Sequence, residues 1–392
     1  MVLAQVNENK PDNSVINPRK ILAILACAFI ARLAFSFGFE GTDFRFFLSI
    51  GDDWINAGQT PYTFARPYQY TPLYLYFLAI AKLLSAGDHI LYRVFAKLPQ
   101  MAGDVLVGWM IIKIIFRKTG NERSALAAGL FYLFNPLLIF NCAYYGRFDQ
   151  LSSFFAVAGF ALYEMRLCSP LLFAASFCVK TYTLFFFPFF LFRDRRRMVT
   201  TGVAFILLLG LLTIPFLLKY QNNAETIQVM FNLAKHWPLG LSWQTILYRF
   251  MDVQQIMVVS KFVLMLYLVV LMLVPKRDFL SYAAFSLAMF PLFSMISFEQ
   301  YMTWSIPFLI MDYCINHKKH AIAMALVFTT VGMISNESIS IMKAADLPQS
   351  ILNISYAACM IAYAAAEVIW LKRNGGDLSI FQKSKPSATG GI

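Results

Sequence analysis

Long apolar runs separated by short polar segments dominate the chain from residue 20 onward. The first runs cover about 20–38 and 71–86, and the last covers 350–371. Several have the roughly 18 to 25 residues that an α-helix needs to cross about 30 Å of hydrocarbon. The pattern predicts an all-α, polytopic integral membrane protein with about 10–14 membrane segments.

Two apolar stretches do not fit simple spans. Residues 88–116 contain several charged side chains and Pro99, and a basic segment follows them. A broken or re-entrant helix pair would satisfy both features, since irregular backbone is tolerated when protein buries it. The run 168–192 is basic at both ends with Lys180 in its middle. It predicts a helical hairpin with Lys180 at its outer tip.

The polar segment 39–70, between the first two spans, is predicted to lie outside the membrane. Within it, "DFRFFLSIGDDWI" carries apolar residues at roughly helical spacing, which predicts a short amphipathic helix in the membrane interface. "GQTP" would end this helix, because Gly and Pro stop helices. The helix would hold Asp43 at the height of the lipid headgroups. The alternative is that Asp43, Asp52 and Asp53 are solvated loop charges or helix caps.

Composition excludes a soluble domain. The 392 residues are 59% hydrophobic and 14% charged, whereas soluble domains carry about 25% charged residues. The net charge of +12 comes largely from cations in short loops beside apolar runs. That distribution follows the positive-inside rule, so it indicates topology and not a nucleic-acid partner.

The predicted outer loops and the hairpin tip hold the candidate chemistry. The candidate residues are Asp43, Arg45, Arg147, Asp149, Lys180, His236, Glu299, Gln300 and Tyr301. A charge inside a membrane segment is costly and marks function by default, and a Lys can contact a phosphate as a point charge. Amides and aromatic rings suit a sugar's hydroxyls and apolar ring face, although Tyr and Trp also form the ordinary interfacial belt.

Several catalytic motifs are absent from the sequence. It contains no Walker-type loop, no dinucleotide-binding glycine pattern, no HExxH and no nucleophile elbow. The chain therefore offers no recognisable site for a soluble nucleotide. An external carboxylate with nearby cations suits a substrate carried on a lipid phosphate.

Several motifs resemble one enzyme superfamily. "GTDFRFF" followed by "AGQTPYTFARPYQYTPL" resembles the first external loop of the membrane-embedded GT-C glycosyltransferases. "FNPLLIF" followed by "YYGRFDQLSSFFAVAGFAL" is similar to the Asn-Pro span and turn of the bacterial polyprenyl-phosphate mannosyltransferases. "FEQYMTWSIPFL" resembles the Gln-Tyr-x-x-Trp pattern of the GPI mannosyltransferase I family. The motifs occur in the same order over residues 20–310, and they imply a GT-C-like helical bundle.

The resemblance implies an inverting transfer of a hexose, above all mannose. The donor would be a polyprenyl phosphate such as dolichyl or undecaprenyl phosphate, and the acceptor a lipid or glycolipid. An acid of the first external loop would act as the general base, and Asp43 matches it by position. Phosphate contacts would fall to Lys180, Arg147, Arg45 and His236. Sugar or acceptor contacts would fall to Gln300, Tyr301, Glu299 and Asp149.

The sequence departs from the family at two positions. GPI mannosyltransferase I carries an Asp-x-Asp pair where this chain reads Asp43-Phe44-Arg45, so Arg45 replaces the second acid. Arg147 stands where the second loop usually has Gln. Because the second acid is missing, this loop is a weaker candidate for binding a metal ion. We expect no cofactor, although the sequence does not exclude a divalent metal.

The expected organisation has three parts. Residues 1–19 form a cytoplasmic N-terminal segment, 20–371 a membrane-embedded catalytic domain, and 372–392 a disordered cytoplasmic tail. The site would face the extracytoplasmic or lumenal side of a plasma (inner) membrane or the endoplasmic reticulum, with membrane lipid as a further partner. A flippase or transporter for lipid-linked saccharides is the alternative, but the inverted repeat it predicts is not evident. A non-catalytic membrane subunit is the third possibility.

Overall fold

The computed structural model describes most of the chain between residues 16 and 373. The described ranges are 16–38, 40–58, 60–62, 68–219, 239–240, 242–244, 247, 250–273, 278–294, 296–335 and 349–373. His236, residues 1–15 and the predicted tail beyond 373 lie outside them.

The described chain is helical almost throughout, which confirms the all-α prediction. The α-helices are α1 (Pro18–Ser36), α2 (Thr42–Asn56), α3 (Leu73–Leu84), α4 (His89–Thr119), α5 (Glu122–Leu133), α6 (Pro136–Ile139), α7 (Asp149–Ala161), α8 (Cys168–Val179), α9 (Phe187–Arg193), α10 (Arg195–Lys219), α11 (Val253–Leu273), α12 (Phe279–Phe293), α13 (Glu299–Thr303), α14 (Ile306–Asn316), α15 (Lys319–Ile334) and α16 (Gln349–Arg373). A π-helix (Phe140–Tyr144) follows α6, and a 3-10 helix (Thr181–Phe186) precedes α9. The two-residue strands β1 (Leu239–Gly240) and β2 (Ile296–Ser297) pair in parallel.

Four of the described helices are long and apolar enough to cross a membrane. They are α4, α10, α11 and the Asn353–Arg373 part of α16. Helix α5 and the segment Pro136–Tyr144 would form a fifth span across a 45° bend. Helices α3, α8, α12 and α15 are apolar but shorter. The multi-pass architecture is therefore confirmed, while the total of 10–14 segments depends on the shorter helices and stays a prediction.

The predicted break within residues 88–116 is wrong, because α4 is one continuous helix that contains Pro99. Its buried charges are satisfied by other helices. Asp104 accepts hydrogen bonds from Arg32 Nε at 2.8 Å and from the Tyr132 hydroxyl at 2.6 Å. Lys97 donates to backbone carbonyls of two neighbouring segments at 3.1 and 2.9 Å. Since these charges are paired inside the protein, the helix needs no break to expose them.

The helical hairpin with Lys180 at its tip is confirmed, while the position of this tip outside the membrane stays a prediction. Helix α8 ends at Val179, Lys180 has an extended backbone, and the 3-10 helix then leads into α9. The rings of Phe173 and Phe190, one on each arm, lie 5.4 Å apart. The chain therefore folds back at Lys180, and the side chain of that residue stands at the tip.

The amphipathic helix predicted after the first apolar run is confirmed as α2, which ends before the turn at Gly58 (φ +64°). Its place in the membrane interface stays a prediction. Its buried face, with Phe47 and Ile50, packs on aromatic and aliphatic side chains of α3 and α4. Asp52 forms an ion pair with Lys82 of α3. The protein itself therefore covers the apolar face of α2.

Candidate functional site

The turn between the π-helix and α7 is shaped by local sequence. Asn135 caps α6 by accepting hydrogen bonds from two backbone N–H groups, and Pro136 fits the first helical turn. The π-helix that follows ends at a turn containing Gly146, whose φ of +71° favours glycine. Arg147 follows Gly146 in this turn, and Asp149 is the first residue of α7.

Two close approaches bring α2 against that turn. A Cβ on Gly146 would lie 2.6 Å from the ring of Phe44, and one on Gly41 would lie 3.1 Å from the ring of Tyr145. These positions therefore need glycine for packing. Because Asp43 precedes Phe44, the contact places its exposed carboxylate beside the turn that carries Arg147.

Arg147 is paired with Glu299, at the start of α13. Its Nη1 donates to Glu299 Oε1 at 2.6 Å and to Asn141 Oδ1 at 3.3 Å. Burial on its own would lower the pKa of the guanidinium, but the carboxylates of Glu299, Asp149 and Asp43 raise it above its ordinary value. Arg147 therefore stays charged among three acids from separate elements.

Lys180 forms the second ion pair of the site. Its Nζ donates to Asp149 Oδ1 at 2.7 Å. Three aromatic rings surround the ammonium group, with centroids at 4.9 Å for Phe148, 5.5 Å for Tyr70 and 5.9 Å for Trp304. Ring faces and a carboxylate together compensate a cation for lost water. The Lys180 side chain is 8% exposed, so the ion pair is almost entirely shielded from water.

Trp304 makes a second contact to Asp149. Its indole N–H donates to Asp149 Oδ1 at 2.6 Å. One face of the indole stacks on Tyr182 with centroids 4.2 Å apart, and Phe290 packs against it at 5.5 Å. Because its ring is buried between these neighbours, Trp304 positions Asp149 and is not a platform for a sugar ring.

Tyr70 and Tyr301 lie close to these charged groups. Burial raises the pKa of Tyr70, Lys180 lowers it, and Asp149 and Asp43 raise it further. Burial likewise raises the pKa of Tyr301, and the same two acids raise it further. Both phenols therefore remain protonated and can donate hydrogen bonds. Sequence reasoning missed Tyr70, since an aromatic residue at a membrane boundary is ordinary.

Among the predicted site residues that the structure describes, two buried acceptors lack hydrogen-bond donors. They are Asp149 Oδ2 and Gln300 Oε1. A buried polar atom without a partner is unfavourable, so such atoms mark places where water or a hydroxylated ligand binds. Both lie on residues that the sequence assigned to the sugar or acceptor.

The structure thus brings together most of the predicted site residues. They are Asp43, Arg147, Asp149, Lys180, Glu299, Gln300 and Tyr301. Arg45 is mostly exposed and forms an ion pair with Glu40 at 3.7 Å, so its phosphate contact stays a prediction, as does that of His236. Within the residues that the structure describes, no three His, Cys, Asp or Glu side chains cluster as a metal site would require.

Comparisons with known proteins indicate a glycosyltransferase. A model of glycosyltransferase family 87 matches residues 68–298, more than half of the 392-residue chain. The matched region contains Arg147, Asp149 and Lys180. A protein described as GPI mannosyltransferase 1 from Gibberella zeae is 31% identical over 81 residues. That alignment covers 21% of this chain and only 17% of the relative.

Proposed function

Since the chain belongs to glycosyltransferase family 87, we propose that it moves a hexose, specifically mannose, from a polyprenyl phosphate to a lipid or glycolipid acceptor. The reaction would invert the anomeric configuration and take place on the extracytoplasmic side of the membrane. The name of the fungal relative supports mannose as the sugar.

The observation that carries the proposal is the arrangement of charges. The exposed carboxylate of Asp43 lies close enough to Arg147 to raise the pKa of its guanidinium. Lys180, at the tip of a hairpin among aromatic rings, supplies the second cation. Transfer from a lipid-linked phosphate needs cations for the phosphate and a base for the acceptor hydroxyl. We assign these roles to Arg147, Lys180 and Asp43.

Asp43 would act as the general base. Its carboxylate takes the proton of the acceptor hydroxyl as that oxygen attacks the anomeric carbon from the face opposite the phosphate. The bond between the anomeric carbon and the phosphate oxygen breaks, and its electron pair leaves with the polyprenyl phosphate. Arg147 and Lys180 stabilise the negative charge that develops on this leaving group.

The buried polar groups beside the cations would bind the hydroxyl groups of the sugar. Gln300 Oε1 and Asp149 Oδ2 can each accept a hydrogen bond from a sugar hydroxyl, since both lack a described donor. Tyr301 and Tyr70 can donate, because their raised pKa values keep them neutral. Such paired donors and acceptors reject a substrate that lacks the matching hydroxyl.

A transfer assay in liposomes tests the proposal. The purified protein receives radiolabelled polyprenyl-phosphate mannose with a crude lipid acceptor extract, and a parallel reaction receives GDP-mannose. We expect a labelled glycolipid from the lipid-linked donor only. Asp43→Asn should lower the rate by about a hundredfold or more, as loss of a general base does, while donor binding remains.

Asp53→Asn is the matched control, because Asp53 is an exposed acid on the same helix. It should leave the rate unchanged. Transfer that survives Asp43→Asn would remove Asp43 as the base. Transfer from GDP-mannose would refute the lipid-linked donor, and movement of the lipid-linked sugar between leaflets without transfer would favour a flippase.

A further inference from the structure

Each cation of the site is already neutralised by a carboxylate of the same chain. Lys180 pairs with Asp149 at 2.7 Å, and Arg147 pairs with Glu299 at 2.6 Å. These four charges sum to zero. A phosphate that binds here must therefore compete with an internal carboxylate.

Further contacts hold the first pair, Lys180 and Asp149, in place. Asp149 Oδ1 accepts from both Lys180 and Trp304, and the Asp149 side chain is fully buried. Lys180 is held at the hairpin tip, where the Thr71 hydroxyl donates to the carbonyl of Cys178. Removing Asp149 from Lys180 would leave a buried charge unpaired, which is unfavourable.

The second pair is more accessible to solvent than the first. Glu299 is the first residue of the five-residue helix α13, and Arg147 is its partner among the described residues. Its side chain is 10% exposed and that of Arg147 is 18% exposed, so water reaches this pair. Arg147 has further support, because its backbone N–H donates to the Asn141 carbonyl at 2.9 Å and Nη1 reaches the Asn141 side chain. Arg147 can therefore stay in place when Glu299 leaves.

We propose that Glu299 occupies the position on Arg147 that the donor's lipid phosphate takes, and thereby sets both donor affinity and release of the lipid phosphate. This inference rests on the proposed function. Glu299 is a positioning residue that acts through Arg147, in place of the sugar contact expected from the sequence. Because transfer leaves a lipid phosphate with more negative charge than the donor, returning Glu299 to Arg147 helps to expel it.

Binding of a sugar-free probe tests the inference. Purified protein in phosphatidylcholine nanodiscs is titrated with undecaprenyl phosphate. Glu299→Gln keeps the side-chain shape and removes its charge, so the dissociation constant should fall by roughly threefold to thirtyfold. In the transfer assay the same variant should show a lower donor KM and a lower kcat, because product leaves slowly. A residue that only supported the fold would not lower KM.

Two further variants isolate the cause. Glu164→Gln changes an exposed glutamate in the loop after α7 and should leave the dissociation constant unchanged. In an Arg147→Gln background, Glu299→Gln should have no further effect on affinity. If Glu299→Gln unfolds the protein, Glu299→Asp keeps the charge on a shorter side chain and should tighten binding to a smaller degree.

The outcomes separate the two proposals. Wild-type protein that binds undecaprenyl phosphate, while Glu299→Gln binds it equally or more weakly, would overturn the inference and leave the proposed function standing. Wild-type protein that fails to bind the probe would count against the lipid-phosphate donor itself.

Discussion

Trp304 donates its indole N–H to Asp149 across 2.6 Å, although 155 positions separate the two residues. The same oxygen of Asp149 accepts from Lys180. One carboxylate therefore ties the loop before α14 to the tip of the Lys180 hairpin. The position of the hairpin cation depends on a contact between distant parts of the chain.

Replacing Trp304 by Phe should loosen that connection. The ring would still pack between Tyr182 and Phe290, but Asp149 would lose a charge-assisted hydrogen bond. We expect the free energy of unfolding to fall by about 1 to 3 kcal/mol and the donor KM to rise. Trp243→Phe is the control, since its indole donates to the Leu292 carbonyl at 2.8 Å. Equal donor KM values in the two variants would contradict the role of Trp304.

Lys180→Met should remove activity and stability together. It leaves the buried carboxylate of Asp149 without its cation, which costs about 3 to 5 kcal/mol. Adding Asp149→Leu replaces the whole pair with apolar side chains, and thermal unfolding in detergent should return towards the wild-type midpoint. Transfer should stay absent in the double variant. Recovered transfer would show that Lys180 acts only on stability.

Gly146→Ala should displace α2. The new methyl group would lie 2.6 Å from the ring of Phe44, next to Asp43, at a φ of +71°. We expect transfer to fall on the order of a hundredfold, because a misplaced catalytic group loses its geometry. Gly87→Ala carries comparable backbone strain (φ +89°) but meets no atom within 4 Å. It should cost only about 1 to 2 kcal/mol of stability and leave transfer intact; similar losses in both variants would argue for strain alone.

Asp104→Asn should affect stability without affecting chemistry. Asp104 and Arg32 form a fully buried ion pair within the helical bundle. Breaking it should lower the free energy of unfolding by about 3 to 5 kcal/mol, whereas Tyr132→Phe removes one hydrogen bond to the same acid and should cost about 1 to 3 kcal/mol. Both are measured by thermal unfolding in detergent, and transfer per folded molecule should match wild type.

Local patterns predicted the parts of the structure that depend on local sequence. The spacing of apolar residues in 42–56 identified α2, and the basic ends of 168–192 identified the hairpin at Lys180. Both follow from rules that act over a few helical turns.

The same local rules could not predict contacts between residues that are distant in the sequence. A charged residue in an apolar run does not reveal its partner, so Asp104 and Lys97 indicated a broken helix where Arg32 and backbone carbonyls satisfy them. Trp304 was hidden for a related reason, because aromatic residues at a membrane boundary are common and their hydrogen bonds leave no local pattern. The partners of Arg147 and Lys180 likewise required the fold.

Helix α2 has its apolar face against α3 and α4, and Asp52 is fastened to Lys82. Contacts within the protein therefore fix the spacing between the proposed base and the two cations. The surrounding lipid does not set it. An enzyme organised in this way should keep its turnover in bilayers of different thickness, provided the long acyl chain of the donor still reaches the hairpin tip.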